Sequence, residues 1–387
     1  MRSPLVDWPG VREPIRNSGG NVDLLLELER LRGFPGRAAG TDAERRAAKH
    51  LAARLEQLGR GARLEPVRVR PAFALTHLMH AGAGLVGSVL SVYVPIAGLA
   101  LVLVAAISAF GDLTASFFLA RLATPIRATQ NVVSAEDEGK PGRLILVARY
   151  DAGRSGTLFG DRLRRWPTVF CGSLVVIAIC AAARVIGLDA TWLTVIQFVP
   201  TVVLIAAFPL LGEVALAEPG PGENRNASGA ATVLGLAERY GGRLEHFDLT
   251  VLLTGAGHPT PLGMRGWIGR RRRELDPETT AVVCVEAAAF GTPHYATREG
   301  TVLPTRFHPT LTAICDELES ATPYVSHELS DAYVARSAGL PAIRVSALGA
   351  RDRAPESVDA DALARTFDFL AALVERIDEE IGPRLGA

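Results

Sequence analysis

The chain is expected to form an α/β fold: a three-layer α/β/α body around a mostly parallel central sheet, with four inserted transmembrane helices in two hairpins. Three observations predict this. Short β-rich runs alternate with helically spaced apolar patterns, the signature of a layered α/β domain. Long apolar stretches without a charged side chain interrupt that alternation in two places. Hydrophobic residues make up 48% of the 387 residues, and the mean hydropathy is positive, which excludes wholesale disorder. Forty-one Lys+Arg balance 41 Asp+Glu, so the basic footprint of a nucleic-acid binder is missing and no nucleic-acid partner is expected.

The elements of the body follow in order. Residues 42–58 place Ala47, Leu51, Leu55 and Leu58 at helical spacing and stop at Gly59. Residues 62–70 alternate as a strand, and 129–135 and 143–150 are β-rich. Residues 228–240 form a small-residue helix before Gly241-Gly242. Runs 249–254, 280–286 and 341–346 read as buried strands, and 358–381 as a long amphipathic helix. The cysteines Cys171, Cys180, Cys284 and Cys315 stand far apart with no C-x-x-C pair, so neither a zinc ribbon nor a disulfide framework is expected. The first 30 residues carry charges throughout, and no secretory signal is expected there.

The membrane segments come from the charge-free runs. Pro71 to Gly111 contains no Asp, Glu, Lys or Arg. One span needs about 20 apolar residues, so this run holds two, with a break at Tyr93–Gly98, where Pro95 and Gly98 permit a turn. Two further runs cover Trp166–Ala183 and Ala190–Gly212, with Arg184 and Asp189 in a short loop between them. The organisation is therefore 1–70, first piece of the body; 71–123, first hairpin; 124–165, second piece; 166–212, second hairpin; and 213–387, last piece. Two hairpins return the chain to one side. Arg68, Arg70, Arg121, Arg127, Arg162, Arg164 and Arg165 all lie on that side, against Arg184 alone on the other. Positive residues stay cytoplasmic, so an integral protein of the cell membrane with a cytoplasmic body is expected, its first partner the lipid bilayer. His77 and His80 are expected at the membrane interface, and the spans are expected to hold no buried charge pair. The Ala83/Gly87 and Gly84/Ser88 spacings are weak helix-association signals. Arg270–Arg273 is a run that reads as a solvated helix face or a contact for anionic lipid.

An ordered set of motifs carries a resemblance. Phe34-Pro35-Gly36-Arg37-Ala38-Ala39-Gly40-Thr41 precedes an Ala-rich helix. Gln130-Asn131-Val132-Val133 follows, then Leu144-Ile145-Leu146-Val147-Ala148-Arg149-Tyr150-Asp151 and Gly222-Glu223-Asn224-Arg225-Asn226-Ala227-Ser228-Gly229-Ala230. Leu252-Leu253-Thr254-Gly255, Ser330-Asp331-Ala332-Tyr333 and Ala338-Gly339-Leu340-Pro341-Ala342 complete it. Together these resemble metallopeptidase family 28, the di-zinc aminopeptidases, over most of the polar body. The resemblance implies a zinc-exopeptidase-like fold and a peptidase-like cleft. Such enzymes need imidazole and carboxylate ligands around two zinc ions that activate water, and a glutamate as base.

Position by position, this sequence departs from that pattern. The first His of the family is Arg149, the bridging Asp is Arg225, and the Glu-Glu pair falls at Ala256-Gly257. The next metal-binding Asp falls near Glu286, and the last His is Ala332. No histidine lies between His80 and His246, and no Asp or Glu between Asp248 and Glu274, so a shift in register does not restore the set. Asp151 and Asp331, which in the family stand beside the lost ligands, remain. Arg149 and Arg225 are expected to replace the zinc charges and pair with Asp151, Glu286 or Asp331, since a buried unpaired carboxylate is costly. The expected function is a membrane-anchored, catalytically inactive aminopeptidase-like protein with a binding or scaffolding role. No catalytic residue, metal ligand or cofactor is assigned. A peptide or other carboxylate ligand is expected in the degenerate cleft, where arginine forks recognise carboxylates. One alternative is an active exopeptidase with atypical ligands, such as a mononuclear zinc site of His258, Glu286 and His294. Another is a transporter-associated membrane component. Ser228 is expected to act as a helix cap and not as a nucleophile.

Overall fold

The computed structural model describes residues 22–220, 222, 226–349 and 357–381. Four strands form the parallel centre of the sheet: β4 (Phe247–Thr254), β3 (Gly142–Arg149), β5 (Thr280–Val285) and β9 (Ala342–Leu348), adjacent in that order. β4 and β5 are buried at every position. A strand covered on both faces reads as a largely apolar run, and these do, with Asp248, Thr250 and Thr254 of β4 as buried polar exceptions. The flanks are mostly antiparallel. β1 (Arg63–Val69) pairs with β2 (Arg127–Ala135), and β2 pairs with β4. At the other side β6 (Thr292–Glu299) runs antiparallel to β9 and carries β7 (Thr305–Arg306) and, parallel to it, β8 (Thr322–Ser326). The expected parallel sheet is thus its four-strand centre, between mixed margins.

Helices cover the sheet in two layers. α7 (Ser228–Tyr240) packs on β3, β4 and β5 with α1 (Leu24–Arg32) and α11 (Ala360–Arg376), and α2 (Asp42–Gln57) covers β2. α10 (Asp331–Ser337) packs on β3, β5 and β9 and against α8 (Leu262–Arg271). α9 (Pro309–Glu317) covers β6 and β9. Thr41 caps α2 by accepting from Glu44 N–H, and Asp359 caps α11, so both helices start where short polar side chains satisfy free backbone donors. Arg37, fully buried, threads the N-terminal loop into the core by donating to the carbonyls of Tyr150, Leu31 and Gly222.

Between β1 and β2 the chain makes α3 (Phe73–Tyr93) and α4 (Pro95–Leu113), and after β3 it makes α5 (Trp166–Val185) and α6 (Thr191–Leu216). All four are long and apolar enough to cross a membrane. Their burial is inverted relative to a soluble bundle. Small and polar residues of α3 (His77, His80, Gly84, Gly87, Ser88, Ser91) turn inward, while Val104, Ile179, Val195 and Phe198 lie outside, each more than 60% exposed. The first break falls at Val94, and no loop residue separates α3 from α4 beyond it. Two expectations are corrected. His77 and His80 are not interfacial but buried inside the bundle. Asp112, near the end of α4, is buried and pairs at 2.5 and 2.9 Å with Arg121, which lies beyond the helix. A charge leaves solvent only when its partner's fork satisfies it, and Arg121 supplies one. Arg184 is likewise not in the loop but inside α5. Its guanidinium is buried against Gln197, Ser91 and Thr194.

Candidate functional site

The carboxyl ends of the parallel strands converge on one cluster, the place where open α/β sheets bind ligands. Arg149 is the last residue of β3, Glu286 follows β5, and Asp331 opens α10 behind its N-cap Ser330. Arg149 lies at the centre, 5% exposed. Its guanidinium donates to the Gly257 carbonyl at 2.9 Å and to Glu286 Oε2. Burial opposes the arginine's charge, but Glu286, then Asp331 and Asp151, outweigh it and hold the guanidinium above its usual range. Asp151 takes the His258 N–H on Oδ2 at 3.2 Å, and Asp331 takes the Thr254 hydroxyl at 2.6 Å. Burial pushes both carboxyls up, Asp331 to about 7, against the pull of Arg149.

Two residues not singled out in the sequence complete the cluster. Arg344, projecting from β9, reaches Glu286 at 3.4 Å, Glu299 at 3.0 Å and Glu328 at 3.1 Å, and donates to Ser326 and Ser346. Glu299 is fully buried, so its carboxyl is raised by burial and lowered by Arg344. The available signal was a lone arginine within the apolar run 341–346.

The remaining positions explain why the guanidinium fits. Ala256 adopts a left-handed backbone (φ 49°) and gives its N–H to Glu44. Gly257 lies so close that a Cβ there would meet Arg149 Cδ at 2.1 Å. The segment where the resemblance would put two carboxylates is therefore a backbone seat for the arginine. Ala332 is buried beneath α10. Arg225 lies outside the described residues. His258 turns its ring against Phe159 (5.2 Å between centroids), while His294 bonds the Thr292 carbonyl and stacks edge-on to Tyr324. Ser228 does not cap α7; its hydroxyl accepts the Ala288 N–H at 2.9 Å and ties the helix to the loop after β5. Arg270 and Arg271 share the single carboxylate of Glu65, and Arg271 covers Trp267, so that basic run is partly neutralised within the body.

A zinc pair does not fit these residues. A guanidinium fills the space between the three carboxylates, and among the described residues no group of three or more His, Cys, Asp or Glu side chains could hold a metal ion.

The cluster opens into a cavity of about 430 Å³ that belongs to body and helices together. Arg149, Glu286 and Arg344 form one end, and Phe73, Leu113 and Trp166 of α3, α4 and α5 form the other. The seam beside it is tightly bonded: Arg121 holds Asp112 of α4 while donating to Thr260 and to the Arg70 carbonyl.

No protein-family model and no curated protein sequence matches the chain. Solved structures do. Fimbriiglobus ruber glutaminyl cyclase superposes with a TM-score of 0.53 at 13% identity, covering 93% of this chain and 99% of that one. A leucine aminopeptidase precursor from Bacteroides thetaiotaomicron gives 0.52 at 12% identity, over 92% and 98%. A Zn-dependent exopeptidase from Parabacteroides distasonis gives 0.50 at 10%, over 92% and 97%. At these identities the likeness is one of fold, and the chain has the fold shared by zinc-dependent exopeptidases and glutaminyl cyclases.

Proposed function

We propose that this chain is a membrane-anchored protein of peptidase-like fold that has given up hydrolysis and retains a binding or scaffolding role. The carrying observation is the buried Arg149 guanidinium, seated on Gly257 and ion-paired with Glu286 at the ends of β3 and β5. A fixed positive charge there repels a dication, and the acids around it are occupied in neutralising it. No cofactor is assigned. Anchoring is supported by the four apolar helices and by their inverted burial. The arginines flanking them support a cytoplasmic body in a cell membrane. A carboxylate ligand at Arg149 would have to displace Glu286, so scaffolding is the reading the geometry favours for this guanidinium.

The test is direct. The protein is purified in detergent, analysed for metal, and assayed with aminoacyl and N-terminal glutaminyl substrates, with and without added zinc. The expected result is no stoichiometric zinc and no chelator-sensitive turnover. Zinc at one or two per chain together with turnover would overturn the proposal.

A further inference from the structure

The seam cavity has a mouth with its own chemistry. Arg164 lines it, and Arg162 and Arg165 stand beside it in the turn that leads into Trp166 at the start of α5. All three arginines are exposed. Among the described residues none of them has a carboxylate partner, whereas Arg68's neighbour Arg70 bonds the Thr124 carbonyl and Arg121 is consumed by Asp112. His327 lines the same mouth. Burial, with the charges of Arg164 and Arg165, holds its imidazole below its usual range. Glu328 also lines this rim, and Arg344 pairs with it at 3.1 Å. Behind the rim the wall is apolar and aromatic: Phe73, Leu113, Leu158, Phe159, Trp166 and Phe290.

Unneutralised guanidinium groups beside an interfacial tryptophan favour the anionic headgroups of a bilayer. The apolar and aromatic wall of the neighbouring cavity, on the side away from Arg149 and Glu286, suits a hydrocarbon chain. We infer that the Arg164–Arg165–His327 mouth binds the phosphate of an anionic phospholipid, one of whose acyl chains enters the seam cavity. The inference rests on the reading that α3–α6 lie in a bilayer, not on the loss of hydrolysis. The lipid then wedges body and helices together at the level of the headgroups, with the degenerate cluster as the cavity's floor. Its phosphate neutralises a basic rim that the protein itself leaves open.

The experiment uses the full chain in detergent, with phosphatidylglycerol, phosphatidylcholine and inorganic phosphate as probes, read by native mass spectrometry. Carbonate extraction from membranes reports separately on whether the helices are integral. Phosphatidylglycerol should be retained in preference to phosphatidylcholine. Arg164→Gln with Arg165→Gln should weaken that retention by about tenfold or more. Arg272→Gln with Arg273→Gln, on α8's far end, should leave it unchanged. Leu158→Trp, which fills the cavity, should weaken phosphatidylglycerol binding. Equal retention of both lipids, indifference to the Arg164/Arg165 variant, or indifference to Leu158→Trp would each overturn the inference. So would full competition by inorganic phosphate, which would mark the mouth as an ion site only. Because Arg164 and Arg165 are exposed, their variants should keep the wild-type melting temperature; if it falls together with binding, Arg164→Lys with Arg165→Lys, which keeps both charges, should retain the lipid, and loss of binding there would overturn the inference.

Discussion

Arg149 is held by two interactions that fail in different ways. The first is its pairing with Glu286, both partners about 6% exposed. Deleting one partner of a buried pair strands the other charge, at a cost of about 3–5 kcal/mol, whereas replacing both with apolar groups is far milder. Arg149→Met and Glu286→Leu should each lower unfolding stability by that order, and the double variant should recover most of the loss in a mutant cycle. The second is the close approach of Gly257. Gly257→Ala should push Arg149 off its carbonyl seat and cost roughly 1–3 kcal/mol, measurable as a drop in melting temperature with the pair otherwise intact. Protons supply a third handle. Burial, ahead of the charge of Asp151, raises Glu44 to about 7, and burial raises Asp331 to about 7. In the unfolded chain these carboxyls ionise near 4. Between about pH 4 and 7 the native state therefore binds the extra protons, and stability should fall as pH rises through that window. Unfolding midpoints at pH 5 and pH 8 check the sign, and Asp331→Asn should flatten the slope. Motif position alone made Arg149 and Glu286 visible in the sequence. Arg344 and Glu299 were not visible, because their pairing depends on β9 and β6 lying side by side, and nothing within either strand records that.

Among the elements, the α3–α4 hairpin depends on a backbone approach. A Cβ on Gly98 would lie 2.3 Å from the Ser91 nitrogen. Gly98→Val should separate the two helices and lower the melting temperature in detergent, while Ile96→Val, on the exposed face, should not. The small-residue spacings have a similar internal use: Gly84 meets Leu174 and Leu204, and Gly87 meets Val102, so these positions pack the bundle against itself. The existence of the four helices and the turn at Val94 were legible from run length and charge. Their facing was not. A helix apolar all round carries no moment to say which side turns inward, so the buried roles of His77, Asp112 and Arg184 emerge only from their partners. A similar limit hid β6, which lacks a sustained alternation, and β7 and β8, which are also short. The central strands, covered on both faces, announced themselves by their mostly apolar, Val-, Ile- and Leu-rich runs.

For the whole molecule, the proposed topology makes a labelling prediction. A single cysteine placed at Leu188, in the turn between α5 and α6, should react with an impermeant maleimide from the opposite side of the membrane to one placed at Glu138, in the body. All four native cysteines are buried and give a low background. Labelling of both sites from one side would remove the anchoring reading.

The order of the segments has a consequence for processing. The sheet is assembled from three stretches of chain, before α3, between α4 and α5, and after α6, and each is joined directly to one of the apolar helix pairs. A protease that cuts before α3 or after α6 frees one stretch covalently, but the strands of that stretch stay hydrogen-bonded to β2 or β3, which remain joined to the helices. Release by a single cut, the usual fate of a globular unit on a single stalk, is therefore closed to this architecture: with its helices in a bilayer and its sheet intact, the body cannot be turned into a soluble form by one cleavage.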